Sequence, residues 1–310
     1  MRRTTLSAMT LPAAYRPLRA FAEAARPNDA PLRTLTGFFM VGMGYYLLFP
    51  LVLGPFVYGD EFEMSDPMPL DGLLLLLAPL VGLLLLRLIL YRLHGRGLRS
   101  AMGNPLSAAN IAVPIGAFAL LISLVAMLLP PWVVLFEVAP IVPWFITMVI
   151  GLPLLLIQVS FEEILFRGYL QQQIAARTEN PLLWMVLPSV IFGGAHFFNA
   201  ETTYYGIAYS MWATMLGLAF ADLTARHGTL GPAIALHFAI NFSRMFVVGS
   251  DDTPFAALAL LRVSVMSDAA PFEADVFLQP EGIGVIFGLV LVCAIQIAPL
   301  WLLARYIIRR

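Results

Sequence analysis

Eight apolar runs dominate the chain, near residues 36–58, 70–93, 107–130, 144–170, 182–198, 203–224, 229–249 and 283–306. A helix rises about 1.5 Å per residue and the hydrocarbon of a bilayer is about 30 Å thick, so such runs are the length of membrane-crossing helices. The fifth is marginal in length, and the fourth is long enough to tilt or to continue past the interface. With 60% hydrophobic residues, 12% charged residues and a mean hydropathy of +0.85, the chain lies outside the range of soluble globular proteins. The expected fold is an all-α polytopic transmembrane bundle of about eight spans.

The loops alternate in charge. The amino-terminal tail, "RLHGRGLRS", the link around Arg177, "ARHG" and the tail "RYIIRR" are basic. The link "GDEFEMSDPMPLDG" and the 250–282 loop, with Asp251, Asp252, Asp268, Glu273, Asp275 and Glu281, are acidic. Under the positive-inside rule an even number of spans then leaves both termini cytoplasmic. The chain divides into a cytoplasmic segment 1–35, three spans within 36–143, a core at 144–249, an external loop at 250–282, and a last span with a basic tail at 283–310. Pro254, Pro271 and Pro280 argue against one continuous helix through the external loop. No internal repeat or second soluble domain is evident.

The first 35 residues hold six Arg and no apolar stretch of the kind a cleaved secretory signal needs. Within them "AAYRPLRAFAEAAR" suits an amphipathic helix on the inner membrane surface, Arg16 and Arg19 reaching lipid phosphates. An Arg-rich organellar transit peptide is the competing reading. All 18 basic residues are Arg and the net charge is −1, from which no nucleic-acid partner is expected. Cys293, the single cysteine, lies in the last apolar run and reads as a small packing residue.

Against this apolar background a few polar residues stand out. An ionisable side chain at the bilayer centre costs on the order of 2.5–3.5 kcal/mol, so those present should face the bundle interior and have partners. They are Glu162 and Glu163 in the fourth run, His196 in the fifth, and His237 with Asn241 in the seventh. Glu163 and Arg167 are four apart, the spacing at which a carboxylate pairs with a guanidinium along one helix face. Glu162 is rotated by about 100° from that face and is the carboxylate left for chemistry. His237 and Asn241 are also four apart and project from one face of a helix begun by Gly231 and Pro232. Gly193, Gly194 and Ala195 before His196, and the stripe Ala213, Gly217 and Ala221, let neighbouring helices approach closely. His94 and His227 are assigned to the surface, and Arg244 receives no role.

The ordered motifs "EEILFR", "FGGAH" and "HFAIN" resemble the EExxxR, FxxxH and HxxxN motifs of the CPBP intramembrane proteases, which include the CAAX prenyl endopeptidases and the bacteriocin-processing, Abi-like members. Glu162, Glu163 and Arg167, then Phe192 and His196, then His237 and Asn241 match without gaps, and the resemblance covers about residues 145–248. It implies a glutamate-dependent endopeptidase of a bacterial cytoplasmic membrane, without a cofactor, whose site opens to the cytoplasmic side. Its substrate would be a membrane-associated or lipidated protein or peptide. Glu162, helped by His196, would activate water. His237 and Asn241 would donate to the oxyanion, and Glu163 and Arg167 would support the helix.

Three other readings compete. Glu162, His196 and His237 could ligate zinc in a His2Glu metalloprotease, although no HExxH helix is present. A catalytically silent scaffold or immunity-type protein would use the same fold to hold a partner. A transporter would use the buried carboxylates and histidines to relay protons. Clustering of His196, His237 and Asn241 around Glu162 would favour hydrolysis.

Overall fold

The computed structural model describes residues 11–52, 68–128, 133–200, 202–250, 253–265, 274–280 and 282–309. The 59–67 part of the first acidic link, and Asp251, Asp252, Asp268, Glu273 and Glu281 of the second, lie outside these residues. A short helix, α1 (Arg16–Ala22), precedes α2 (Pro31–Val52). Then come α3 (Pro69–His94), α4 (Pro105–Leu128), α5 (Ile141–Ala175), α6 (Leu182–Asn199) and α7 (Thr203–His227). Last are α8 (Gly231–Phe242), which runs on into a π turn at Ser243–Val247, and α9 (Gly282–Ile308).

Among the described residues, six helices are long and apolar enough to cross a membrane: α3, α4, α5, α6, α7 and α9. Large side chains such as Phe39, Leu84, Phe118, Phe145 and Ile295 point outward from the bundle, as lipid-facing positions require. The chain is thus an all-α polytopic membrane protein. The first expected run is helical as α2. The seventh is the 12-residue α8 with its π extension, packed against α4, α5 and α7.

The ends of these helices follow local chemistry. The Thr202 hydroxyl accepts from the Tyr205 amide at 3.3 Å and starts α7, and Gly228, at φ +77°, ends it in the left-handed region. Pro232 occupies the first turn of α8, where a missing N–H costs nothing.

Three strands, two of them in stretches read above as loops and one at the end of the seventh apolar run, form a small sheet in the order β1-β3-β2. β1 (Val133–Val138) is antiparallel to β3 (Leu261–Val265), and β3 is parallel to β2 (Val248–Ser250). Their β-branched residues suit a pleated ribbon, and Arg262 pairs with Glu137 across β1 and β3. The sheet joins the start of α5 to the end of α8, the two helices that carry most of the polar core.

Two expectations at the opposite end of the bundle are corrected. His94 is 3% exposed rather than at the surface. Its Nε2 meets the Tyr169 hydroxyl at 2.8 Å, and its Nδ1 lies 3.0 Å from the Asn28 carbonyl and 2.7 Å from Gln173 Nε2. The α1 helix does form, but Leu18, Phe21 and Ala22 bury their apolar face in protein rather than lipid. Arg19 pairs with Glu179 at 2.6 Å. The Tyr15 hydroxyl donates to Asp222 at 2.7 Å, and the same carboxylate holds Arg226 and the Trp301 indole, tying the amino-terminal segment to α7 and α9. Burial and the Asp222 charge push the Tyr15 phenol up.

The small residues do bring helices together. A Cβ on Gly193 would stand 1.9 Å from Thr214 Oγ1 and 2.5 Å from the Ser210 carbonyl, whereas one on Gly194 would meet nothing within 4 Å. Gly193→Ala is therefore expected to destabilise the protein by about 1–3 kcal/mol through overpacking, while Gly194→Ala is tolerated. A thermal-unfolding comparison of the two in one detergent checks this, and equal melting temperatures would contradict it. Cys293 is buried and free, consistent with packing alone.

Candidate active site

The Glu162–Glu163 pair sits where α5 changes its winding. The α-helical part ends at Glu163, and Ile164–Gln171 is a π-helix of 8 residues, all buried. Such wide turns are uncommon and recur at functional sites. Glu163 is 0% exposed and Arg167 1% exposed, and Arg167 Nη1 donates to Glu163 Oε1 at 3.0 Å, as the four-residue spacing predicts. The guanidinium lies 4.4 Å from the ring centre of Phe192 and 5.2 Å from that of Phe220, an aromatic cage that compensates part of its lost hydration.

Glu163 has a second partner that one helix could not reveal. His237 Nδ1, on α8, lies 2.8 Å from the same Oε1. A carboxylate only accepts, so this nitrogen carries the proton and donates it, which fixes the ring. The ring stacks on Phe220 with centroids 5.1 Å apart and is 4% exposed. Its Nε2 faces Glu162 Oε2 at 3.8 Å, too far for a direct hydrogen bond and within the span of one bridging oxygen. Among the described residues Oε2 is buried with no hydrogen-bond partner, whereas Oε1 accepts from Gln158. Asn241 reaches the same place indirectly, Nδ2 donating to Gln158 Oε1 at 3.2 Å.

His196 closes α6 differently. Its Nδ1 donates to its own turn, the Phe192 carbonyl, at 2.7 Å, leaving Nε2 as the free ring nitrogen. Its ring lies 4.4 Å from that of Phe192 and 5.5 Å from that of Tyr209. Among the described residues no hydrogen bond joins His196 to Glu162. Phe192, 2% exposed, stands between the two histidines, its ring 6.2 Å from that of His237.

The structure thus brings Glu162, Glu163, Arg167, His237 and Asn241 into one connected cluster and sets His196 one aromatic ring away. Among the described residues no group of three or more His, Cys, Asp or Glu side chains is arranged to hold a metal ion. His227 meets Thr229 Oγ1 at 2.7 Å, and the exposed Arg244 lies over Trp212 at 5.1 Å, both outside the cluster. Sequence reasoning missed Gln158, Phe220 and Tyr209. Gln158 had a usable signal, an amide in an apolar stretch one helical turn before Glu162. The two aromatic residues gave none, because a ring in an apolar helix is ordinary.

Comparison with known proteins agrees with the motif resemblance. Residues 139–243 match the family model described as type II CAAX prenyl endopeptidase Rce1-like. That stretch contains every residue of the cluster. An uncharacterised protein, YyaK, of Bacillus subtilis (strain 168) is 32% identical over 92 residues, which cover 29% of this chain and 31% of that protein. The chain therefore spans about a third of the length of this curated relative. No solved structure matches.

Proposed function

We propose that the chain is an intramembrane endopeptidase in which Glu162 activates water against a peptide bond of a membrane-associated or lipidated substrate. The observation that carries this reading is the position of His237 between two carboxylates, Nδ1 at 2.8 Å from Glu163 and Nε2 at 3.8 Å from Glu162. One carboxylate orients the ring, and the other faces it across the width of one oxygen atom.

In the reaction Glu162 takes a proton from water as the oxygen bonds to the scissile carbonyl carbon. His196, through its free Nε2, assists that transfer once substrate and water bring the two groups together. The carbonyl oxygen gains negative charge and accepts from His237 Nε2 and from the second Nδ2 hydrogen of Asn241. Because Nδ1 already donates to Glu163, a donating Nε2 means the imidazolium form, with two carboxylates supplying the opposing charge. The tetrahedral species then collapses, the C–N bond breaks, and the proton held by Glu162 passes to the leaving amine. No step requires a metal.

Eight spans with both termini cytoplasmic would put the site nearer the cytoplasmic face, since His237 lies about 9 Å along α8 from Gly231. Prenylated CAAX sequences are the substrate class to try first, given the family matched. His237 and, through Gln158, Asn241 gather at Glu162 while His196 stands one aromatic ring away, and this partial clustering favours hydrolysis over the scaffold and transport readings. With a quenched-fluorescent prenylated CAAX peptide, Asn241→Ala and His237→Ala are each expected to lose about 10²–10³-fold in kcat, the usual cost of one oxyanion donor, while remaining folded. Activity should survive exhaustive chelation with no bound metal. Loss on chelation and recovery with zinc would overturn the metal-free mechanism, and wild-type rates in both variants would overturn the oxyanion assignment.

A further inference from the structure

Gln158 lies in the middle of α5, one turn before Glu162, and belongs to none of the matched motifs. An amide at that depth is costly in an apolar bundle unless both of its ends are satisfied. Here they are satisfied by the two groups nearest the proposed chemistry. Nε2 donates to Glu162 Oε1, and Oε1 accepts from Asn241 Nδ2 at 3.2 Å.

The donor and acceptor inventory makes this arrangement directional. A carboxylate offers only acceptors, so the end of Gln158 facing Glu162 must be its NH2 group. Its carbonyl oxygen then faces Asn241. A flipped Asn241 would set two carbonyl oxygens against each other, so its NH2 group must face Gln158. That NH2 group has two hydrogens, of which one is committed to Gln158 and the other has no acceptor among the described residues. On the other side, Gln158 occupies Oε1 of Glu162, leaving Oε2 as the oxygen turned towards His237 Nε2. One amide therefore sets which oxygen of Glu162 and which face of Asn241 are presented, across two different helices.

We propose that Gln158 is a positioning residue that locks the general base and an oxyanion donor in register by a single chain of hydrogen bonds. The assignment rests on the roles given above to Glu162 and Asn241. Gln158 itself touches no reacting atom.

Two substitutions separate positioning from packing. Gln158→Met keeps the length and the apolar stem but removes both hydrogen bonds. It is expected to lower kcat on the quenched-fluorescent prenylated CAAX peptide about 10- to 100-fold with KM little changed, the scale set by small misplacements of catalytic groups. Gln158→Glu can accept from Asn241 at any pH, but it can donate to Glu162 only when the introduced carboxyl is protonated. Its activity relative to the wild type should therefore rise as pH falls. Glu162, Glu163, His237 and Arg167 face the site in both proteins, and the ratio to the wild type at each pH reads the introduced carboxyl together with the Glu162 carboxylate it faces. A wild-type kcat in Gln158→Met, or a ratio for Gln158→Glu that does not change with pH, would overturn the proposal.

A second measurement needs no substrate. In protein labelled with 15N-asparagine, the side-chain NH2 signals of Asn241, assigned by their loss in Asn241→Ala, should shift in Gln158→Met. Unchanged signals would overturn the proposal. Wild-type activity in Glu162→Gln or Asn241→Ala would instead overturn the underlying assignment. If the wild type does not cleave the peptide, the substrate class falls and the NMR result decides the role of Gln158.

Discussion

Glu162→Ala is expected to abolish cleavage and leave the bundle standing. Removing a general base typically costs about 10²–10⁴-fold in rate. The fold should hardly notice, because this carboxylate is not the one that the structure uses to neutralise buried charge. Its side chain is 20% exposed, its direct hydrogen bond is to Gln158, and its second oxygen has no hydrogen-bond partner among the described residues. Glu162→Gln, which keeps the shape and removes the basicity, should be equally inactive and still closer to the wild type in melting temperature. Rates on the quenched peptide measured beside thermal unfolding check both halves. Full activity in either variant would end the assignment of Glu162.

The neighbouring carboxylate should behave in the opposite way. Arg167→Met is expected to destabilise the protein by about 3–5 kcal/mol, the cost of leaving a buried charge without its partner. Glu163, at 0% exposure, would be left among the described residues with His237 as its side-chain hydrogen-bond partner. The thioether can occupy the cage of Phe166, Phe192 and Phe220, so the charge rather than the volume is what is lost. Glu163→Gln should be destabilising for the converse reason, leaving the Arg167 guanidinium unpaired. The double variant Glu163→Gln/Arg167→Met should be more stable than the two single losses added together, because neither orphan remains. Chemical unfolding in mild detergent measures all three. A change below about 1 kcal/mol in Arg167→Met would show that the pair is not a stabilising element.

These two expectations differ because of a distinction that was legible in the sequence. Four-residue spacing placed Glu163 on the face of Arg167 and Glu162 off it, and the structure keeps that division even though the helix widens into a π segment right after Glu163. The apolar runs were legible for an equally simple reason, since lipid leaves long uncharged helices as their physical solution. The contact of His237 with Glu163 was not, because it joins residues 74 apart on different helices and periodicity speaks only within one. His94 was misjudged because a histidine at a helix end before glycine looks solvated. Its partners Asn28, Tyr169 and Gln173 come from segments that only the fold brings together. The sheet was missed because "VVLFEV" and "LRVSV" are short and lie more than 120 residues apart, so neither could show its partner.

The amino-terminal segment shows the same limit from another side. An amphipathic pattern says that one face is apolar and not what covers it. Phe21 and Leu18 meet protein, and Asp222 inside α7 supplies the anchor through Tyr15.

Water activation is tested most directly by one turnover in H2(18)O, with enzyme in excess over the peptide. If Glu162 acts as a base, the new carboxyl group of the product carries one 18O atom and the Glu162 side chain carries none, both read by mass spectrometry. Product carrying only 16O after that first turnover, with 18O in the Glu162 carboxylate, would mean that the glutamate attacks the carbonyl itself and would contradict the proposed mechanism.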